Sequence, residues 1–87
     1  MIDSESRHLR SFLAVAEELS ITRAAARVNL TQQAVSIHLQ QLERSLGVVL
    51  LVRTSRGVSR TPAGHEFAVG AKAVLDDLDA LAATCPI

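Results

Sequence analysis

Residues with strong helix-boundary preferences divide the middle of the chain into two short segments. Ser20 and Thr22 are both suited to start a helix, and Thr31 is a good N-cap nine residues farther on. Gly47 supplies the residue that most readily takes the left-handed backbone found after a helix C-terminus. The sequence therefore predicts two helices joined by a tight turn at Asn29 and Leu30, over residues 23–28 and 32–46.

The side chains of these two segments favour close packing. The first contains consecutive alanines at 24, 25 and 26, which lack bulk and let another helix approach. The second carries a narrow apolar stripe at helical spacing, formed by Val35, Leu39, Leu42 and Leu46. Two helices joined in this way match a helix-turn-helix, whose second helix enters the major groove in DNA-binding proteins.

The flanking segments complete the predicted fold. An apolar stripe predicts a first helix over residues 6–19, formed by Leu9, Phe12, Leu13, Ala16 and Leu19. The apolar run 48–52 predicts a strand, 53–57 a polar loop and 58–60 a returning strand. Thr61 and Pro62 open a last helix that reaches about residue 83. The predicted fold class is mainly α: a winged helix-turn-helix of three helices plus a short β-hairpin wing, followed by a long C-terminal linker helix.

The last helix shows the spacing of a helix-pairing seam. Its apolar positions are separated by four, three, four and three residues: Phe67, Ala71, Val74, Leu78 and Leu81. This heptad spacing is typical of coiled-coil-like pairs. We predict a dimerisation surface there, and a division of the chain into a DNA-binding domain (1–60) and a linker or dimerisation helix (61–87).

Charge is distributed unevenly although the net charge is zero. Residues 21–60 carry six arginines against one glutamate, a net +5, whereas 1–20 carry −2 and 61–87 carry −3. Arginine is suited to bidentate contact with phosphate or guanine. From charge alone, an ordinary solvated pattern explains the block equally well.

The face of the second short helix opposite its apolar stripe has the chemistry of base recognition. At ~100° per residue, Gln33, Ile37, Gln40 and Arg44 point away from the stripe, Ser36 lies beside them, and Gln32 lies in the first turn. Glutamine can bond adenine, serine a base or phosphate, and isoleucine a thymine methyl group. In the hairpin, Arg53, Arg56 and Arg60 are candidates for backbone contact. His38 falls near the core side and is interpreted as a packed residue.

No pattern indicates catalysis, a metal or a cofactor. The three histidines lack ligand spacing, and no glycine-rich phosphate loop is present. The single cysteine, Cys85, cannot form an internal disulfide, which favours a cytoplasmic location. No signal peptide and no membrane-spanning run are found in the sequence.

Several motifs occur together in the order found in one family. The segments FLAVAEELSITRAAARVNLTQQAVS, QLERSLG and TPAG, with Arg53 after the apolar strand, resemble the N-terminal domain of LysR-type transcriptional regulators over about residues 9–64. The resemblance implies a bacterial homodimer, paired through its linker helix, that binds promoter DNA of dyad symmetry. It implies base contacts at Thr31, Gln32, Gln33, Ser36 and Ile37, and a backbone contact at Arg53.

The chain departs from the family pattern on the base-contacting face and in length. Gln33 stands where many members carry proline, and Ile37 where many carry arginine, so a different preferred half-site is expected. The effector-sensing domain of the family is absent from this sequence. The alternatives are a winged-helix module that binds protein, for which an apolar patch would be expected, and a nonspecific nucleoid-type binder, for which a net basic chain would be expected.

Overall fold

The computed structural model describes the backbone of residues 2–84 and the side chains of residues 5–84. This part of the chain forms four helices and one hairpin. The elements are α1 (Ile2–Glu18), α2 (Ile21–Val28), α3 (Gln32–Leu46), β1 (Leu51–Thr54), β2 (Gly57–Arg60) and α4 (Pro62–Thr84). β1 and β2 form a two-stranded antiparallel sheet. The predicted fold class is confirmed. Cys85 lies outside the described residues.

The predicted boundaries of α2 and α3 are confirmed to within two residues, because the caps form as expected. The side chain of Ser20 accepts a hydrogen bond from the amide of Arg23, and that of Thr31 accepts one from the amide of Ala34. Asn29 and Gly47 end the two helices in the left-handed conformation. The turn between the helices therefore consists of residues 29–31.

In its second half, helix α1 is buried on all sides rather than along one stripe. Ser11 to Ala16 are all buried, since α2 and α3 pack on one side of the helix and α4 on another. Phe12 is fully buried and makes an edge-to-face contact with Phe67 of α4, with ring centroids 5.4 Å apart. The predicted burial of Leu19 is wrong: it is 41% exposed and its positive φ ends the helix one residue earlier than predicted.

The strand prediction for the apolar run 48–52 is wrong at its start, because the amides there are used elsewhere. The amide of Val48 donates to the carbonyl oxygen of Glu43 and helps to close α3. The amides of Leu50 and Leu51 both donate to the Glu43 carboxylate. The ladder with β2 therefore begins only at Leu51, which is opposite Arg60.

The loop of the hairpin is also shorter than predicted. Thr54 pairs with Gly57, so that only Ser55 and Arg56 form the turn and Arg53 lies within β1. Val58 is buried, and its amide donates to the carbonyl oxygen of Leu19 at the end of α1. The hairpin is thus attached to the end of α1 close to its turn.

Helix α4 belongs partly to the same core as the first three helices. Ala68, Ala71 and Leu75 are buried in one cluster with Phe12. Gly64 is also buried, and a Cβ at this position would overlap the carbonyl oxygen of Leu50. The division at residues 60 and 61 stays a prediction about chain organisation, and the first half of α4 completes the core.

Candidate nucleic-acid interface

The face of α3 opposite the core is exposed along its length. Val35 and Leu39 are buried, and Leu42 is partly buried. The exposed residues of this face are the polar or charged Gln32, Gln33, Gln40 and Arg44, and Ile37. The predicted orientation of the helix is confirmed, although Leu46 at its end is 43% exposed rather than buried.

Ile37 is the one large apolar side chain on this exposed face. It is 43% exposed and stands among Gln33, Ser36 and Gln40. Desolvation of an isoleucine by a partner is favourable, whereas water contact is not. Ile37 is therefore placed to pack against an apolar group of a partner that binds in the groove.

Helix α3 and the hairpin enclose an open groove. Its rim carries Gln33, Ser36 and Gln40 from the helix and Arg53 from β1, while Ile21, Leu39 and Val58 contribute apolar floor. Across the groove, Nη2 of Arg53 donates a hydrogen bond to Oγ of Ser36 over 2.6 Å. The structure therefore brings Gln33, Ser36, Ile37 and Gln40 together with Arg53 in one groove. Thr31, Gln32 and Arg56 are exposed but do not line this groove.

Two of the six arginines in the basic block are neutralised on another part of the molecule. Nη2 of Arg27 lies 2.6 Å from a carboxylate oxygen of Glu17, and Nε of Arg23 lies 3.6 Å from one of Glu18. The hydrogen bond with Glu17 raises the pKa of Arg27 above its ordinary value. The net charge of residues 21–60 therefore overstates the charge that this segment offers to a partner.

The other four arginines are exposed and, within the described side chains, form no ion pair: Arg44, Arg53, Arg56 and Arg60. Arg56 is at the tip of the hairpin, and Arg60 is at its base beside α4. Unpaired positive charge thus lies on α3 and the hairpin; Arg53 lines the groove with the polar face, whereas Arg60 lies beside α1 and α4.

His38 is partly buried, as its position on the helix predicts. Its Nδ1 lies 2.7 Å from Oγ of the buried Ser11, and its ring centroid is 5.0 Å from that of His8. Burial lowers the pKa of His38 below its ordinary value, and the charges of His8 and Arg7 act in the same direction. The residue ties α3 to α1 and is not part of the exposed face.

Sequence reasoning missed Glu43, which holds the start of the hairpin. One carboxylate oxygen accepts from the amide of Leu50 over 2.6 Å and from that of Leu51 over 3.1 Å. Charge-assisted bonds of this kind are among the stronger hydrogen bonds in proteins. The only signal in the sequence was a lone acidic residue within the basic segment 21–60, which identifies no partner.

The predicted seam on α4 is only partly exposed within one chain. Val74 and Leu81 are 49% and 70% exposed, and Phe67 and Leu78 are partly buried. Ala71 is 4% exposed and belongs to the core of its own chain. An apolar groove beside the seam is lined by Leu9, Ala63, Glu66, Phe67, Gly70, Ala71 and Val74.

Two features typical of other functional classes are missing from the described residues. Among the described residues, no group of three or more His, Cys, Asp or Glu side chains could hold a metal ion. Over the same part of the chain, no helix combines the length and the apolar character needed to cross a membrane.

Comparison with known proteins identifies the arrangement. A family model described as "Bacterial regulatory helix-turn-helix protein, lysR family" matches residues 6–65. The uncharacterized HTH-type transcriptional regulator YnfL of Escherichia coli is 48% identical over 79 residues, which are 91% of this chain and 27% of that protein. The HTH-type transcriptional regulator BenM of Acinetobacter baylyi is 47% identical over 75 residues, 86% of this chain and 25% of that protein. This chain therefore spans about a quarter of the length of these relatives.

Solved structures agree with these matches. The DNA-binding domain of BenM in complex with catB site 1 DNA has a TM-score of 0.85 at 44% identity, with 90% of this chain and 87% of that chain covered. The DNA-binding domain of CbnR in complex with DNA has a TM-score of 0.84 at 39% identity, with 88% of each chain covered.

Proposed function

The chain belongs to the LysR family of bacterial regulatory helix-turn-helix proteins, and on that basis we propose that it binds specific sequences of double-stranded DNA. One observation carries the proposal. The exposed polar face of α3 and Arg53 of the hairpin line the same groove. A helix of this kind fits the major groove of B-DNA, and an adjacent basic hairpin then lies against the phosphate backbone.

Base contacts are assigned to the N-terminal half of α3. Gln32 and Gln33 are exposed in the first turn, where either amide can bond the edge of adenine bidentately. Ile37 is placed to contact a thymine methyl group, and Gln40 lies one turn farther along. Thr31 adds a contact at the helix start, although its hydroxyl oxygen already accepts from the amide of Ala34.

Backbone contacts are assigned to the hairpin. Arg53 and Arg56 are exposed and not engaged in ion pairs with the described side chains. Each phosphate that an arginine neutralises releases counterions, so these contacts supply affinity that depends on salt and not on sequence. The zero net charge of the chain is compatible with DNA binding, because four arginines on α3 and the hairpin form no ion pair with the described side chains: Arg44, Arg53, Arg56 and Arg60.

Dimerisation is assigned to the exposed part of α4. We propose that the seam pairs with its copy in a second chain and so places two α3 helices on the two halves of a dyad-symmetric promoter site. Phe67, Val74, Leu78 and Leu81 are the members with surface left to contribute, and Ala71 supports the seam from within. Bacterial cytoplasm is the location that this function requires.

The alternative, a winged helix that binds protein, is less well supported. A protein-binding face on α3 would be expected to present an apolar patch. Within the described residues, the exposed face of α3 that lines the groove is polar except for Ile37.

Variants on two parts of the interface test the DNA-binding proposal. Gln32→Ala should weaken binding to the preferred site by about 1–3 kcal/mol and relax the choice at one base pair. Arg53→Ala should weaken binding to all duplexes alike and flatten the dependence of log Kd on log salt concentration by about one unit. Lys72→Ala, at an exposed position on α4 that does not line the groove, is the control. Loss of binding to only one sequence on removal of Arg53 would contradict its assignment.

Equally exposed apolar residues on α4 test the dimer. Leu81 is 70% exposed on the seam, and Val69 is 67% exposed on another side of the helix. Leu81→Lys should shift sedimentation towards the monomer, because a charge would enter the apolar seam, whereas Val69→Lys should not. Equal effects of the two substitutions would refute the seam.

A further inference from the structure

The contact between Ser36 and Arg53 assigns a different role to one of the candidate base-contacting residues. Nη2 of Arg53 donates to Oγ of Ser36 over 2.6 Å, from one wall of the groove to the other. Ser36 is only partly exposed, whereas Gln32, Gln33 and Ile37 around it are exposed. Its hydroxyl oxygen is therefore already engaged with the hairpin in the free protein.

The strand pairing of Arg53 determines the face of the sheet on which its side chain lies. Arg53 is opposite Val58 in the ladder, and residues paired across a sheet point to the same face. Val58 is 9% exposed and packs in the core, so this face is the one turned towards the helices. Leu51, two residues before Arg53, packs against the core from the same face.

The start of the same strand is fixed to α3 by a second contact. Glu43 accepts from the amides of Leu50 and Leu51, seven residues beyond Ser36 on the same helix. Glu43 and Ser36 thus hold two points of β1, one through the backbone and one through the side chain of Arg53. The hydrogen bond is the outer of two attachments between α3 and the hairpin.

We propose that Ser36 is a positioning residue that holds the Arg53 guanidinium ready for the DNA backbone. This inference rests on the proposed DNA binding and deepens it. Arginine has five N–H donors, so one bond to Ser36 leaves donors on Nη1 and Nε for a phosphate. A free arginine loses much rotamer entropy when it is fixed by a phosphate, and a side chain ordered beforehand avoids part of that loss. Ser36 contributes affinity for all sequences through Arg53.

The free protein provides a test that is independent of DNA. NMR relaxation of the Arg53 Nε–Hε group should show an ordered side chain in the wild type and a mobile one in Ser36→Ala. Ser36→Thr keeps the hydroxyl group and should keep Arg53 ordered, whereas Ser45→Ala on the same helix is a control that should change nothing. A mobile Arg53 in the wild type, or an ordered one in Ser36→Ala, would overturn the proposal.

A double-mutant cycle with DNA provides the second test, on a duplex selected for the wild type and on an unrelated duplex. Ser36→Ala should weaken binding to both by about 3- to 10-fold, the entropic cost of ordering one long side chain only when DNA binds. In an Arg53→Ala background, the same substitution should change Kd by less than about 2-fold. Thermal unfolding of the four proteins should show that the variants remain folded.

Each other outcome has a definite meaning. Unchanged binding by Ser36→Ala would show that the contact contributes nothing to affinity, and tighter binding would show that DNA must first break it; either result overturns the proposal. A loss confined to the selected duplex, and undiminished without Arg53, would make Ser36 a base contact and also overturn it. A folded wild type that binds no duplex would refute the proposed function and this role in binding, while the NMR result would still report on the contact itself.

Discussion

Gly64 is the position at which one added methyl group should do the most damage. A Cβ there would overlap the carbonyl oxygen of Leu50 and lie 2.8 Å from its carbonyl carbon. The obstacle is buried backbone, so it cannot turn aside as the end of a side chain could. The same carbonyl oxygen also accepts from the amide of Thr61 over 3.0 Å. Movement of α4 to make room would therefore also weaken the bond at its own start.

The magnitude for Gly64→Ala follows from opposing contributions. Overpacking of a core costs about 1–3 kcal/mol, and weakening of a backbone hydrogen bond adds about 1 kcal/mol. Alanine gains about 1 kcal/mol over glycine within a helix. We expect a net loss of about 1–3 kcal/mol in the free energy of unfolding, or about 4–24 °C in Tm for a domain of this size.

Gly70→Ala is the matched control on the same helix. A Cβ at Gly70 would have no atom within 4 Å, so that only the helix propensity changes. This variant should gain about 0.5–1 kcal/mol. Circular dichroism during urea and thermal unfolding measures both variants, at several protein concentrations because Gly70 lines the groove beside the proposed seam. If Gly64→Ala were as stable as the wild type, the packing of α4 against Leu50 described above would be wrong.

Three further predictions concern the site and its support. Burial lowers the pKa of His38, so the folded state binds a proton at this residue less readily than the unfolded state does. The free energy of unfolding should therefore fall as the pH drops through the unfolded-state pKa of about 6.5. In His38→Gln, the free energy of unfolding measured with urea should vary less between about pH 7.5 and pH 5.5 than in the wild type. Replacement of one thymine in the selected site by deoxyuridine should weaken binding about 4-fold, the value of one buried methyl group. In Ile37→Ala the same replacement should have no effect on binding. If the variant lost as much affinity as the wild type, Ile37 would not contact the thymine methyl group. Glu43→Gln should lower the free energy of unfolding by about 1–2 kcal/mol, because it removes the charge from two hydrogen bonds, whereas Glu66→Gln at an exposed position should have little effect.

The helix-turn-helix could be predicted from the sequence because its boundaries are set locally. Ser20, Thr31 and Gly47 each act on neighbouring backbone groups, and the structure shows all three in the predicted roles. The exposed face of α3 followed from the position of Val35 and Leu39 on the same helix, which needs no knowledge of other elements. Local rules were sufficient for these features.

The start of the hairpin could not be predicted because it depends on a contact across the fold. A β-branched apolar run predicts a strand from residue 48, yet the amides of Leu50 and Leu51 are bound by the side chain of Glu43. Composition also could not show that Glu17 and Glu18 neutralise arginines of the next helix. The net charge of a segment counts all of its charged residues. The charge that an interface offers to a partner depends on which of these residues form no ion pair within the protein.

The candidate site shows the same difference between orientation and contact. Helical geometry placed Ser36 beside the candidate base-contacting residues, and the structure agrees with that position. Its partner, however, is Arg53, which is 17 residues away in the sequence and lies within a strand rather than in the predicted loop. A position on a helix predicts which side a residue faces, but its hydrogen-bond partner depends on the neighbouring element.

Selection from a random pool of duplex DNA, with the purified chain at near-physiological salt, tests the central claim most directly. The account predicts enrichment of a dyad-symmetric site, with half-site preferences that change when Gln32, Gln33 or Ile37 is substituted. A chain shown to be folded that enriches no sequence, or enriches one that is indifferent to these substitutions, would contradict base recognition by α3.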